Sequence, residues 1–172
     1  TVGIKPTRPD TGYGYIQVSD DKPISKVKCF TEKPDIELAR VFLQSGEFYW
    51  NSGIFVWKVR SIVEAFEKYL PEHHALFSGV MRAIGTDAER NVVEIAFSEC
   101  RAISIDYGIM EKADNVYVRC GEFGWSDVGT WGSVYQHSRK DRYANAVPEE
   151  GCYLYDTRSS IVSLPKDKIA VI

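Results

Sequence analysis

A chain of 172 residues, 44% hydrophobic and 26% charged, is long enough for one domain, or for a large part of one with an appendage, and has the make-up of an ordinary soluble globular protein. Its formal charge of −3, with 21 basic and 24 acidic residues spread along the chain, argues against a general polyanion surface and so against a nucleic-acid partner, while leaving room for a local phosphate site. No run approaches the roughly 20 apolar residues of a membrane span and no apolar signal segment opens the chain, so no membrane partner and a cytoplasmic location are expected.

The four cysteines, Cys29, Cys100, Cys120 and Cys152, lie far apart without the close pairs of zinc ligands, and most are expected to be small buried hydrophobes. His73 and His74 are adjacent, which on a helix sets them about 100° apart, and no third ligand stands at helical spacing. No metal centre is expected there.

In chain order, residues 2–5 read as a short strand running into a loop, and Thr11-Gly12-Tyr13-Gly14-Tyr15-Ile16 as a Gly-alternating turn or strand. Gly12 and Gly14 could let a ligand touch the backbone, or could mark a bulge with the tyrosines packing; two glycines do not choose between these. Residues 27–34 alternate apolar and polar until Pro34, which predicts a strand, and Asp35 then caps a helix whose stripe is Leu38, Ala39, Phe42 and Leu43, ended by Ser45-Gly46. Glu32 and Lys33 thus fall at a strand's end, where α/β sheets bind ligands. As strand neighbours they would face opposite ways unless the loop has begun to turn, and a solvated surface pair is the plain alternative.

The most apolar stretch, residues 48–57, is interrupted by Asn51-Ser52-Gly53, and Ile54 to Trp57 reads as a strand buried on both faces. Asn51 beside such a core needs hydrogen-bond partners, either a ligand hydroxyl or its own Asx-turn. Ser61 with Glu64 suggests a capping box for a helix stopped by Pro71, with further helices over 72–84 and 87–97 that look like covering structure. Ser104 is a cap for a short helix, 116–118 a strand, and Trp131, Val134 and Tyr135 one face of another helix. Between these last two elements lies Gly124-Trp125-Ser126-Asp127-Val128-Gly129-Thr130-Trp131, a single carboxylate among glycines and tryptophans. Such a loop can hold one metal-binding or proton-handling oxygen still, yet an Asp before a helix is more often its N-cap, and taken alone the loop favours the cap. The pattern changes near residue 140, and from Gly151 to Ile172 short alternating runs separated by turns predict all-β material.

Five stretches in this order, Gly-Tyr-Gly-Tyr-Ile (12–16), Phe-Thr-Glu-Lys-Pro (30–34), Trp-Asn-Ser-Gly-Ile-Phe (50–55), Ser-Ile-Asp-Tyr-Gly-Ile-Met-Glu-Lys (104–112) and Gly-Trp-Ser-Asp-Val-Gly-Thr-Trp (124–131), resemble the sugar-phosphate nucleotidyltransferases. The resemblance runs over nearly the whole chain and is strongest to the branch that joins mannose 1-phosphate and GTP to give GDP-mannose and pyrophosphate with Mg²⁺. It implies an α/β fold: residues 1–140 as the second half of a Rossmann-like nucleotidyltransferase domain, a mixed sheet with flanking helices, and 141–172 as the start of a small β-rich, β-helix-like domain. It also implies that Gly14 approaches the sugar through its backbone, Glu32 and Asn51 bind sugar hydroxyls, Lys33 contacts the sugar-phosphate, Glu111 lines the pocket, and Asp127 ligates Mg²⁺. The family's Gly-rich nucleotide loop and second metal-binding aspartate do not occur in these residues, so the fragment by itself is expected to be inactive, with exposed edges that favour a homo-oligomer. Transfer from UTP or dTTP to glucose 1-phosphate, and a non-catalytic sugar-nucleotide-binding paralogue, are the alternatives.

Overall fold

The computed structural model describes every residue from Thr1 to Ile172 except Asp21, and the chain divides into two compact units, Thr1–Phe123 and Gly124–Ile172. The first is a mixed α/β structure, as the sequence pattern predicts. Its strands are β1 (Val2–Ile4), β2 (Tyr15–Val18), β3 (Ile24–Thr31), β4 (Phe48–Asn51) and β5 (Tyr117–Gly121). They run in the order β1-β4-β2-β3-β5 and close on themselves, because β1 pairs antiparallel with β4 on one side and parallel with β5 on the other. The remaining ladders are antiparallel. The eight-residue β3 serves two partners, β5 through Ile24–Lys26 and β2 through Val27–Thr31.

Closure demands close approach at β1. A Cβ on Gly3 would stand 2.5 Å from Val118 Cγ2 and 3.1 Å from Tyr49 Cβ, so only glycine lets β1 fit between β4 and β5. One face of the strands buries Ile16, Val18, Phe30 and Val118 with Met110 and Val116. Residues of opposite parity, Tyr15, Phe48 and Trp50, join Tyr13 beneath α1 (Ile36–Ser45) in a second apolar cluster, in which Phe42 stacks on Phe48 at 3.9 Å between ring centroids. α1 begins and ends as its sequence dictates: Asp35 accepts from Leu38 N at 2.8 Å, and Gly46 takes the left-handed conformation, φ 73°.

The helical block consists of α2 (Val59–Tyr69), α3 (Pro71–Met81) and α4 (Glu89–Glu99), followed by a π-turn over Asp106–Met110. Ser104 Oγ accepts from Tyr107 N at 3.4 Å, as expected of a cap for a short helix. The turn seats against the α2–α3 junction at Gly108, where a Cβ would come within 2.8 Å of Leu70 Cδ1.

Three local expectations give way. Residues 54–57 are not a buried strand: Val2 N donates to the Ile54 carbonyl at 3.1 Å, after which the chain leaves the sheet with Val56 84% exposed. Their unbroken apolar character has another cause, since Phe55 packs on the strand core and stacks on Trp57. The Ser61–Glu64 box does not form, because α2 starts three residues earlier from an extended Lys58 without a side-chain cap. Cys29 is exposed and the other cysteines are half-buried, Cys120 alone of them packing against the strand core; at β3 the alternation puts Phe30, not Cys29, inside.

The second unit holds α5 (Trp131–His137) and two short strands, β6 (Cys152–Tyr153) and β7 (Ala170–Val171), paired in parallel; Ala146 and Ile161 form a further parallel bridge. With no helix in either crossover, the chain winds in successive coils. Asn145, fully buried, pins them: its Nδ2 donates to Asp141 Oδ2 at 3.1 Å and to the Thr157 carbonyl at 2.9 Å, and its Oδ1 accepts from Ser160 N at 3.1 Å. Asp141, which accepts from the backbone N–H of Asn145 and also of Tyr143, is held below the usual carboxylate range by those bonds. The division between units falls before the Asp127 loop, whereas residue 140 marks where helical pattern gives way to short strands.

Gly3→Ala should destabilise the protein by about 1–3 kcal/mol, the cost of forcing one methyl group into packed strands. Urea unfolding would check this, with Gly79→Ala as the contrast: that helical position has open space around it, so the added methyl group should leave stability unchanged or raise it by up to about 1 kcal/mol.

Candidate functional site

The strand ends in the first unit gather most of the residues the sequence singles out. β3 stops at Thr31 and the chain turns at once, with Lys33 at φ 46°, a left-handed conformation that costs a residue with a side chain about 1–2 kcal/mol. The turn answers the question of facing. Instead of pointing apart, Lys33 Nζ lies 3.1 Å from Glu32 Oε1, the carboxylate only 8% exposed and the lysine 56%. The pair is thus a half-sunk one and not two solvated surface charges.

Glu32 lies over Gly14. A Cβ there would collide with Glu32 Oε2, so the missing side chain of Gly14 makes room for a carboxylate. The Gly14 carbonyl meanwhile accepts from Asn51 N at 2.8 Å, which ties the loop before β2 to the end of β4. Asn51 is buried, and its side chain makes no turn of its own. Its Nδ2 donates to Asp106 Oδ1 at 3.0 Å and its Oδ1 accepts from Thr1 Oγ1 at 2.9 Å. The local turn is made by Ser52 instead, whose Oγ donates to the Val2 carbonyl. Glu111, just past the π-turn, accepts from the backbone N–H of Glu32 at 3.1 Å. Gly14, Glu32, Lys33, Asn51 and Glu111 therefore converge, and Asp106 joins them.

Sequence reading leaves Asp106 unassigned. The signal was present: an aspartate set in the apolar run Ile103 to Met110 must find a partner if the run is buried, as Gly108, Ile109 and Met110 are.

The electrostatics follow from this crowding. Burial pushes the Glu32 carboxyl above its ordinary range, and the charges of Asp106 and Glu111 add to the effect, while Lys33 opposes it through its bond and its charge. Lys33 is raised in turn, chiefly by its bond to Glu32. The neighbourhood is a carboxylate-rich, hydrogen-bond-accepting surface with one ammonium at its rim.

Asp127 lies in the other unit, exposed, and does not cap α5. The cap is Thr130, whose Oγ1 accepts from Ser133 N at 3.2 Å while Ser133 Oγ accepts from Thr130 N at 3.2 Å, a reciprocal capping box. Asp127 Oδ1 accepts from Gly129 N within its own loop, and Oδ2 has no hydrogen-bond partner among the described residues. No group of three or more His, Cys, Asp or Glu among the described residues could hold a metal ion unaided. One free carboxylate oxygen still suits Mg²⁺, which keeps several waters and takes one or two carboxylates alongside substrate phosphates. No described helix is long and apolar enough to cross a membrane.

Residues 1–143 match the family model described as nucleotidyl transferase. The chain belongs to the nucleotidyl transferase family. A mannose-1-phosphate guanylyltransferase from Sinorhizobium fredii is 39% identical over 153 residues, covering 86% of this chain and 29% of its own length. One from Escherichia coli is 34% identical over 175 residues, covering 94% and 38%. A crystal structure from Thermus thermophilus, titled mannose-1-phosphate geranyltransferase, superposes with a TM-score of 0.73 at 32% identity, over 95% of this chain and 49% of that one. The chain thus spans about a third of the length of these curated relatives and about half of that solved neighbour. The family match includes α5 and ends at residue 143, close to the change of pattern in the sequence.

The raised Glu32 carboxyl fixes a sign. The folded state holds this proton more tightly than the unfolded chain does, so Glu32's contribution favours folding at acid pH and is lost as pH rises from the ordinary glutamate range through the raised folded value. Urea unfolding across this range should show stability falling faster with pH in the wild type than in Glu32→Gln. Parallel pH profiles would mean that Glu32 carries no such burden.

Proposed function

We propose that this chain supplies the sugar-phosphate pocket and one Mg²⁺-binding carboxylate of an enzyme that transfers a guanylyl group from GTP to mannose 1-phosphate, releasing GDP-mannose and pyrophosphate. The observation that carries the reading is the convergence of Glu32, Lys33 and Asn51 around Gly14, from separate stretches of a chain whose curated relatives bear that activity's name.

In this reading an oxygen of the sugar phosphate attacks the α-phosphorus of the nucleotide, the bond to the β-phosphate breaks and pyrophosphate leaves with its electron pair. Two anions must be brought together, so the protein's task is positioning and charge screening, with no protein nucleophile. Glu32 accepts hydrogen bonds from sugar hydroxyls, and Asn51 offers its second Nδ2 hydrogen. Lys33, tethered at the rim by Glu32 and mostly exposed, meets the phosphate. Gly14 acts by admitting the Glu32 carboxylate and by leaving its backbone open to approach by the sugar. Mg²⁺, held in part by Asp127 Oδ2, would neutralise phosphate charge. Exposed apolar side chains on the helices, Val59, Met81 and Phe97 among them, support self-association of the protein.

Incubating the full-length protein with GTP, Mg²⁺ and a panel of sugar 1-phosphates should yield GDP-mannose preferentially from mannose 1-phosphate; preference for glucose 1-phosphate with UTP or dTTP would defeat the reading. Asp127→Asn in the same protein should lower Mg²⁺-dependent kcat by about 100-fold or more while the melting temperature stays in place, because Thr130 and not Asp127 caps α5. Near-normal turnover in that variant would remove Asp127 from the metal site.

A further inference from the structure

The π-turn at Asp106–Met110 carries a carboxylate at its first residue and another, Glu111, immediately after its last, and each reaches a different pocket residue. The geometry points to Asp106 and Glu111 as paired positioning residues: Asp106 fixes the amide of Asn51, and Glu111 fixes the Glu32–Lys33 turn, so that one element sets the sugar-facing groups of two strands. This rests on the functional reading above and deepens it, since neither residue need touch the sugar.

Chemistry makes the Asp106 contact directional. A carboxylate only accepts, so it must face the Nδ2 of Asn51, and the Thr1 hydroxyl donates to Oδ1 on the other side. A flipped amide would set its oxygen against the Asp106 carboxylate, two acceptors face to face, whereas the Thr1 hydroxyl, which also reaches the Ile54 carbonyl, can accept as well as donate; Asp106 is therefore what fixes the amide. Asn51 therefore offers a donor, its remaining Nδ2 hydrogen, and an incoming hydroxyl at that place must accept. Without Asp106 the amide could present either end.

The Glu111 contact restrains a different freedom. The turn after β3 depends on a lysine at φ 46°, a conformation that an unrestrained chain leaves readily. Backbone N–H of Glu32, one residue before, donates to Glu111 Oε1 at 3.1 Å, and Lys33 Nζ meets Glu32 Oε1 at 3.1 Å. If the turn relaxed toward extended geometry, Lys33 would swing to the opposite face from Glu32. Single π-helical turns are rare and recur at functional sites; here the wider turn ends with Glu111 reaching the Glu32 backbone, and Gly108 lets it sit against Leu70.

The test uses the full-length protein with Glu111→Ala, Glu111→Gln and Asp106→Ala. Deuterium exchange of a peptide over residues 30–34 should be faster in Glu111→Ala than in the wild type, with Glu111→Gln recovering most of the protection because its amide oxygen still accepts. Exchange over β2 reports global folding and should not move. In steady-state kinetics, Glu111→Ala and Asp106→Ala should raise KM for mannose 1-phosphate by about tenfold, the size of one lost hydrogen bond to a charged group, with KM for GTP unchanged. Unchanged exchange over 30–34 in Glu111→Ala overturns the clamp whatever the enzyme acts on. Faster exchange with both KM values unchanged, or a loss in Glu111→Ala that Glu111→Gln does not recover, overturns it too. A wild type that makes no GDP-mannose defeats the functional reading instead, and the exchange comparison still decides the clamp. Should Glu111→Ala not fold, Asp106→Ala and Glu111→Gln carry the same comparison: a normal mannose 1-phosphate KM in the first, or rapid exchange over 30–34 in the second, overturns the proposal.

Discussion

A carboxylate taken out of water is costly, and the strand-end cluster in the first unit is arranged around that of Glu32. The side chain is 8% exposed, its proton affinity is raised by burial, and two further carboxylates stand near enough to raise it more. Three provisions keep it there. Gly14 gives up a side chain to make the space, Lys33 takes a left-handed conformation to bring its ammonium alongside, and Glu111 holds the backbone between them. At Gly14 the severe collision would be with Glu32, the Asn51 and Phe30 side chains standing at 3.4 Å, and at Lys33 the left-handed conformation is itself a cost. Stability given up at one place is the usual mark of a site kept for binding or chemistry.

The cluster also explains why a Lys and a Glu adjacent in sequence can work together. Strand geometry would separate them, and only a reversal of φ directly after β3 puts both on one side. The resulting surface is rich in acceptors, with a single cation at the rim. That polarity suits a polyhydroxylated ring bearing one phosphate better than it suits a polyanion, in keeping with the even spread of charge along the chain.

Much of this was legible in the sequence, though unevenly. α1 could be read to its caps because Asp35 and Gly46 act locally, through one side-chain bond and one positive φ. The Glu32–Lys33, Asn51 and Glu111 candidates could be read as segments, but their meeting could not, since β-strand pairing across tens of residues leaves no local trace. Asp106 escaped for the same reason: its partner is 55 residues away. Residues 54–57 misled because an apolar run records that side chains find apolar neighbours, not that the backbone is in a sheet; Phe55 stacks on Trp57 outside any strand. Asp127 was ambiguous until Thr130 and Ser133 were seen to close the helix end themselves. Asn145 carries no such mark in the sequence, and four of its polar contacts hold the C-terminal coils.

The place of β1 between β4 and β5 also orders the assembly of the molecule in time. β2, β3 and β4 pair antiparallel with near neighbours in sequence, so they can meet early, and they bring Gly14, Glu32 and Asn51 with them. β1 can add to β4, but closure of the ring waits for β5, since Val2 pairs with Arg119 across most of the first unit, and closing so long a loop is entropically slow. The π-turn, immediately before β5 in sequence, arrives with that last step. The acidic pocket is thus half built, with its buried carboxylate not yet clamped by Glu111, until the closing strand docks.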